Sequence, residues 1–252
     1  MQPRFIPGLA ISVDYYNITV KDVITSPGVQ SVLDSCYDLP SIDNQFCATF
    51  DRAGPGGGPA GEIEGQILEG NLILVPFNYA KLKVRGIDTE VTYRTTIGNI
   101  GRLDTRFIWT HALQNDSFLD LSAPDFADQT LGELGDPKDA FNWNTSLKHG
   151  NFTFGYQMRY IGKMTIGTWE ATHSKQGRDP TDLDYATKEF YPAVFYHDVR
   201  ASMDVTPRFN FYVGIDDVTN KHPPFGLSGA GAGSGIYRNI GRFFYAGAVA
   251  KF

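Results

Sequence analysis

The sequence predicts an all-β protein, an antiparallel transmembrane β-barrel with about eight long strands. Aromatic residues make up 13% of the chain and glycines number 27, a composition typical of strands joined by turns and loops. Apolar and polar side chains alternate along eight segments, as they do in strands whose two faces meet different surroundings. No stretch approaches the ~20 apolar residues of a membrane helix. A membrane-spanning form of this chain therefore has to be a barrel.

The clearest alternation runs from Phe152 to Tyr160. Its even positions are apolar or aromatic, and they are Phe152, Phe154, Tyr156, Met158 and Tyr160. Residues 141–148 alternate in the same way, and the tight connection 149–151 makes the two segments a hairpin. The same pattern predicts a hairpin before this one and a hairpin after it. It also predicts a first strand near residues 9–24, with a bulge near Asn17, and a last strand near 237–252.

The connections between these strands alternate strictly in length. The short ones are 97–100, 149–151 and 206–208, and the long ones are roughly 27–77, 114–138, 165–189 and 221–235. Outer-membrane barrels combine short periplasmic turns with long extracellular loops. The predicted strands are also about ten residues long, whereas strands of soluble proteins average ~5–6. Both features indicate a barrel whose long loops lie outside the cell.

Charged residues recur in the polar phase of the strands. They include Asp88, Glu90, Arg106, Arg159 and Arg200. Unpaired charges are too costly for a dry protein core, so this face is predicted to line a watery lumen. The solvent-facing side of a soluble sheet is the alternative. The net charge of −6 argues against nucleic-acid binding, which usually requires a basic surface.

The two cysteines, Cys36 and Cys47, lie in one polar segment. This placement favours a disulfide in an oxidising compartment. Two buried free thiols remain the alternative.

Few residues indicate a ligand site. In the third long loop Trp169 and Tyr185 can stack on a sugar or an aromatic chelator, although loop packing or membrane anchoring is the simpler interpretation. The acidic residues of 125–139 lack the ordered spacing of a calcium loop and are interpreted as solvated. The glycine runs 54–61 and 229–235 lack the features of a phosphate loop. Because no catalytic or metal-ligating constellation can be placed, we expect neither an enzyme nor a cofactor.

Residues 241–252 resemble the closing strand of outer-membrane proteins, whose terminal aromatic residue is recognised by the barrel assembly machinery. The resemblance implies that Phe244 and Phe252 carry this assembly signal. Three stretches, 78–93, 216–221 and 241–245, resemble TonB-dependent receptors in their residues, order and spacing. Together with the strand pattern, the resemblance covers the chain from Pro7 to Phe252.

This resemblance implies that residues 1–252 are the carboxy-terminal part of a plugged barrel of about 22 strands. The plug domain and the early strands would be absent. The expected function is that of a receptor fragment in the outer membrane of a Gram-negative bacterium, for energy-coupled uptake of a siderophore, cobalamin or an oligosaccharide. The expected partners are membrane lipid, the assembly machinery and a small molecule at the extracellular loops. TonB would be contacted only through the missing amino-terminal region.

Two alternatives belong to other functional classes. Eight strands can close alone into a small barrel, which would act as an anchor or adhesin, although the family-like residues 84–93 argue against it. A soluble β-sandwich that binds carbohydrate is the other alternative. Its outward faces would be polar, so partition between detergent and buffer separates it from a barrel.

Overall fold

The computed structural model describes residues 2–120, 123–174, 176–181, 189–224, 226–227 and 235–251. Two of the predicted site residues, Tyr185 and Phe252, lie outside the described residues, and so does most of the glycine run 229–235.

Eight long strands form an antiparallel sheet. They are β1 (Leu9–Thr25), β2 (Phe77–Ile97), β3 (Gly101–Phe118), β5 (Asp139–His149), β6 (Phe152–Ile161), β9 (Val194–Thr206), β10 (Phe209–Asp216) and β11 (Phe243–Ala250). Their order in the sheet is their order in the sequence, and a short strand, β4 (Asp128–Gln129), adds to β3. The predicted all-β class and the eight long strands are confirmed. The bulge near Asn17 stays a prediction. Within β1, Asp22 has a positive φ of 54°.

The long connections contain elements that the strand pattern did not predict. These are the helix α1 (Val29–Asp38), a 3-10 helix (Cys47–Thr49), the two-residue strands β7 (Met164–Thr165) and β8 (Phe190–Tyr191), and the short helix α2 (Trp169–Thr172). Within the described ranges, no helix has the length and apolar character needed to cross a membrane.

Cross-strand register gives the sheet two chemically different faces. Arg106, Asn144, Gln157 and Asp198 lie opposite one another in one row across four strands. The next row, on the other face, is Phe107, Trp143, Met158 and His197. We call these the polar face and the apolar face. On the apolar face Phe154 and Phe244 are 52% and 65% exposed, so protein atoms do not cover these large side chains.

The chain divides into two compact units. The larger unit comprises residues 1–17, 84–115 and 130–252, and its core forms around Met164, Tyr196 and Tyr237. The smaller unit comprises residues 18–83 and 116–129. Its core forms around Val32 of α1 and Phe46, so the first long loop carries a folded core of its own.

Candidate functional site

The five charged residues predicted for the lumen lie on the polar face. Arg106 donates to both carboxylate oxygens of Glu90, at 2.8 and 3.1 Å, and the Thr110 hydroxyl donates to Asp88 at 2.7 Å. Arg200 lies over the ring of Tyr212, with its guanidinium carbon 4.6 Å from the ring centroid. The strands here line an open cavity of ≈ 330 Å³.

The fifth residue, Arg159, holds part of the last long connection. Its Nη2 donates to the carbonyl oxygen of Ile236 at 3.3 Å. Two residues later, Arg238 forms a bidentate ion pair with Asp198 of β9, with an Nη2–Oδ2 distance of 2.7 Å. The backbone N–H of Arg238 also donates to the Tyr196 hydroxyl at 3.0 Å. Residues 236–238 are therefore clamped against the polar face.

Sequence analysis missed Arg238. Its partner lies 40 residues earlier in the chain, and no local pattern links a loop arginine to an aspartate on a strand. The signal in the sequence was that Asp198 lies among the polar positions of its alternating strand, because a charge on this face needs a partner or water.

A second cavity, of ≈ 500 Å³, lies between the clamped segment and the sheet. Its side-chain lining combines charged, amide and aromatic groups, among them Arg159, Asp216, Asn239 and Phe243. Asp216 lines both cavities.

Two tyrosines on the polar face cover glycines of the neighbouring strand. Gly214 pairs with Tyr245, and Tyr212 pairs with Gly247. A Cβ atom at Gly214 would lie 2.2 Å from Cζ of Tyr245, and a Cβ atom at Gly247 would lie 2.4 Å from Cζ of Tyr212. Only glycine leaves room for these rings.

The family-like stretch 216–221 forms the turn that begins the last connection. Asp217 is fully buried; its Oδ1 accepts hydrogen bonds from the Thr219 hydroxyl and the Lys221 backbone. Asn220 then accepts a hydrogen bond from the backbone of Arg242 at 2.9 Å. The motif thereby fixes the backbone just before β11, which is a structural role.

Trp169 packs within its own loop. Its ring stacks on His173 with centroids 3.6 Å apart and planes inclined by 3°, and His173 pairs with Glu189 at 3.2 Å. The backbone N–H of Trp169 donates to Glu133 at 2.7 Å. These contacts favour the loop-packing interpretation, and the ligand-contact role of Trp169 stays a prediction.

The apolar face carries a band of aromatic side chains. Phe141 stacks on Tyr160 at 4.9 Å, and Tyr160 contacts Phe195 at 4.8 Å. The indole N–H of Trp109 donates to Asp139 at 3.1 Å. A band of rings with polar tips is typical of the boundary between hydrocarbon and water.

In the smaller unit, Cys36 of α1 and Cys47 are bonded, with S–S 2.01 Å and Cα–Cα 4.8 Å. Further along the loop, the buried carboxylate of Glu62 accepts hydrogen bonds from the backbone of Glu69 and Ala60, at 2.8 and 2.9 Å. Hydrogen bonds from the backbone of Glu69, Glu62 and Ala60 lower the pKa of the Glu62 carboxyl, although burial opposes them. The glycine run 54–61 therefore lies close to a carboxylate, which would repel a phosphate.

Across the part of the chain that the structure describes, no three His, Cys, Asp or Glu side chains are arranged to hold a metal ion. The acidic residues of 125–139 bind separate partners. Asp139 binds His111 and Trp109, and Glu133 binds the Trp169 backbone.

Residues 4–218 match the model of a protein family described as TonB dependent receptor-like, β-barrel. No curated protein matches the chain. Solved structures show the same fold. A ferric enterobactin receptor mutant from Pseudomonas aeruginosa, in complex with enterobactin, is 16% identical, with a TM-score of 0.58 over 98% of this chain and 30% of that chain.

Two further structures are similar to the same degree. The siderophore receptor PirA from Acinetobacter baumannii is 12% identical, with a TM-score of 0.56 over 98% of this chain and 30% of that one. The FrpB iron transporter from Neisseria meningitidis is 17% identical, with a TM-score of 0.54 over 98% and 29%. The chain thus spans 29 to 30% of the length of these three proteins. Its sheet corresponds to part of a barrel.

Proposed function

The chain belongs to the family of TonB-dependent receptor-like β-barrels, and we propose that it forms wall and extracellular loops of a receptor for energy-coupled solute uptake in the outer membrane of a Gram-negative bacterium. The observation that carries this proposal is the two-faced sheet in a chain that matches the family over residues 4–218. In such a barrel the polar face lines the lumen and the apolar face contacts lipid.

The apolar face argues for lipid as a partner. Large side chains such as Phe154 and Phe244 are more than half exposed, and contiguous exposed apolar surface is rare on a soluble monomer. A soluble carbohydrate-binding sandwich would present polar outward faces, so it is not favoured.

The ends of the sheet argue for a larger barrel. β1 and β11 are the terminal strands of the described sheet and do not pair with each other. Within hydrocarbon, unpaired strand edges leave backbone groups without hydrogen bonds, and this cost is removed only by closure. An eight-stranded anchor or adhesin is therefore not favoured. In this proposal residues 1–252 supply part of the wall of that larger barrel.

The chain is proposed to bind and guide a small molecule without converting it. The solute would be a siderophore, cobalamin or an oligosaccharide that enters at the extracellular loops. Phe252 and Phe244 would serve the assembly machinery. Deleting Phe252 from the intact receptor should lower its amount in the outer membrane, while a normal amount would restrict this residue to packing.

The experiment that tests this function uses cells that make the intact receptor containing these 252 residues. Fractionation should place the receptor in the outer membrane. Uptake of radiolabelled ferric siderophores, cobalamin and oligosaccharides should reveal one solute whose uptake needs both the receptor and TonB. Recovery of the protein in the soluble fraction, or uptake that continues without TonB, would overturn the proposal.

A further inference from the structure

A tyrosine and a histidine form a hydrogen-bonded pair on the apolar face of the sheet. The hydroxyl oxygen of Tyr156 lies 2.7 Å from Nδ1 of His197, and the centroids of their rings are 6.1 Å apart. His197 pairs with Met158 in the row that defines this face. Tyr156 precedes Met158 by two residues in β6, so its side chain points to the same side. We call Tyr156 and His197 the polar pair.

The polar pair lies on a part of the wall that a complete barrel would leave uncovered. Its strands, β6 and β9, lie inside the described sheet, between β5 and β10. The other strands of the larger barrel would extend the wall sideways, so they would not cover the outer surface of these two. Tyr156 is four residues from Phe152, which follows a short turn, and four residues from Tyr160 of the aromatic band. In the proposed barrel the pair therefore lies within the apolar zone, between its two boundaries.

The polar pair cannot satisfy all of its own hydrogen-bonding groups. Nε2 of His197 bonds to no described residue and is not enclosed by protein atoms, so it is open to the surroundings of the apolar face. If the Tyr156 hydroxyl donates to Nδ1, Nε2 carries an N–H without an acceptor; if Nδ1 donates to the hydroxyl, both Nε2 and the phenolic O–H lack partners. Within hydrocarbon no water replaces the missing partner. A group that binds Nε2 therefore has to come from another molecule in the membrane.

Two tryptophans of the same face have partners within the chain. The indole N–H of Trp143 donates to the Thr105 hydroxyl at 2.8 Å, and that of Trp109 donates to Asp139 at 3.1 Å. These indoles need no outside partner. His197 differs from them, and ionisable side chains inside a membrane are rare and are found paired.

We propose that the polar pair joins two copies of this chain side by side in the membrane, with Nε2 of His197 in each copy hydrogen bonded to the Tyr156 hydroxyl of the other. This inference rests on the proposed receptor function and adds an assembly to it. Each copy supplies one group of each kind, as a two-fold interface requires. In both neutral tautomers the two cross-bonds satisfy the atoms that lack partners in the single copy.

The geometry of a membrane permits this contact. Two barrels with the same orientation are related by a two-fold axis along the membrane normal, and rotation about that axis leaves the depth of every atom unchanged. The Tyr156 hydroxyl and the His197 ring lie within one hydrogen bond of each other, so they have nearly the same depth and can meet across the axis. An acyl chain at this depth offers neither a donor nor an acceptor.

The test measures association of the purified intact receptor in lipid vesicles. Copies are labelled with a donor or an acceptor dye at Asn99→Cys, an exposed position in a short turn, and energy transfer is measured over a range of protein-to-lipid ratios. We expect a saturable dimer. His197→Phe and Tyr156→Phe keep the rings and remove polar atoms, and each should raise the dissociation constant about tenfold, which corresponds to about 1.4 kcal/mol. His111→Phe is the matched control and should leave it unchanged, because His111 is on the same face and its Nδ1 already binds Asp139 at 2.7 Å.

A mixture of the two variants gives a sharper test. Neither variant alone can form a cross-bond, because one lacks the imidazole and the other lacks the hydroxyl. In a mixed dimer the remaining His197 meets the remaining Tyr156, so one of the two bonds is restored. The mixture should therefore associate more tightly than either variant by itself.

Three results would overturn the inference. They are a monomeric unsubstituted receptor at every protein-to-lipid ratio, equal effects of His197→Phe and His111→Phe, and a mixture that associates no more tightly than its two components. Outer-membrane recovery and TonB-dependent uptake alongside any of these results would leave the receptor function intact. Recovery of the unsubstituted receptor in the soluble fraction would instead remove the function on which the inference rests.

Discussion

Replacing Gly247 by alanine should destabilise the sheet because the new methyl group would meet the ring of Tyr212. The Cβ atom would lie 2.4 Å from both Cζ and Oη of that ring and 2.8 Å from Cε1, so the ring has to move. Overpacking of this kind costs about 1–3 kcal/mol. Alanine recovers about 0.5–1 kcal/mol because glycine is the weaker strand residue. We expect a net loss of about 1 kcal/mol in the free energy of unfolding.

Gly155→Ala is the matched control, since a Cβ atom there meets its nearest neighbours at 3.8 Å, an ordinary contact. It should be neutral or slightly stabilising. Unfolding of the intact receptor by urea in lipid vesicles would be measured for both variants. Adding Tyr212→Ala should abolish the cost of Gly247→Ala, with a coupling of about 0.5–3 kcal/mol between the two changes. Equal stabilities of the two alanine variants, or strictly additive effects in the double variant, would refute the proposed clash.

Three further predictions concern other parts of the chain. Tyr156→Arg, on the apolar face, should cost about 2–4 kcal/mol in a bilayer, whereas Gln157→Lys should cost far less; equal costs in vesicle unfolding would contradict the orientation. Reducing the Cys36–Cys47 bond should lower stability by about 2–3 kcal/mol, and intact mass with and without reductant shows whether the bond exists; two free thiols in outer-membrane material would refute it. The pKa of the Glu62 carboxyl is lowered in the folded state, so the ionised carboxylate stabilises the loop at pH values above its unfolded pKa of ~4.3. This stabilisation is lost as the pH falls through the folded pKa. Proteolysis of the loop should therefore increase on acidification, and Glu62→Gln should reduce that pH dependence; identical profiles would contradict the role of the carboxylate.

The strands could be predicted because the alternation of apolar and polar residues is visible within each segment of the sequence by itself. Phe154, Tyr156 and Met158 share one face in the register of β6 with its neighbours, as alternation requires. The short turns were also predictable, since few residues separate the alternating segments. The resemblance of 78–93 and 216–221 to TonB-dependent receptors then indicated a larger barrel, which the alternation alone does not indicate.

The long connections could not be predicted in the same way. The helix α1 lies within residues 27–77, where only a polar loop was expected, because its stability comes from a small core that includes distant Phe77. The ion pair of Arg238 with Asp198 likewise forms only when two residues that are distant in the sequence come together in the fold. Phe243 was within reach of sequence reasoning, since it stands in the opposite phase to Phe244 and so had to face the polar side.

In the proposed barrel, the position of the aromatic band relative to the lipid would be measurable through the tryptophans of the protein. The chain has three tryptophans, and two of them, Trp109 and Trp143, belong to apolar rows of the sheet. Trp143 pairs with Phe107, so the two indoles are displaced by two residues, about 7 Å measured along a strand. Lipids brominated at different acyl positions should therefore quench them unequally. Trp169, stacked on His173 in a connecting loop, would respond instead to a quencher dissolved in water, so one emission spectrum reports on both environments.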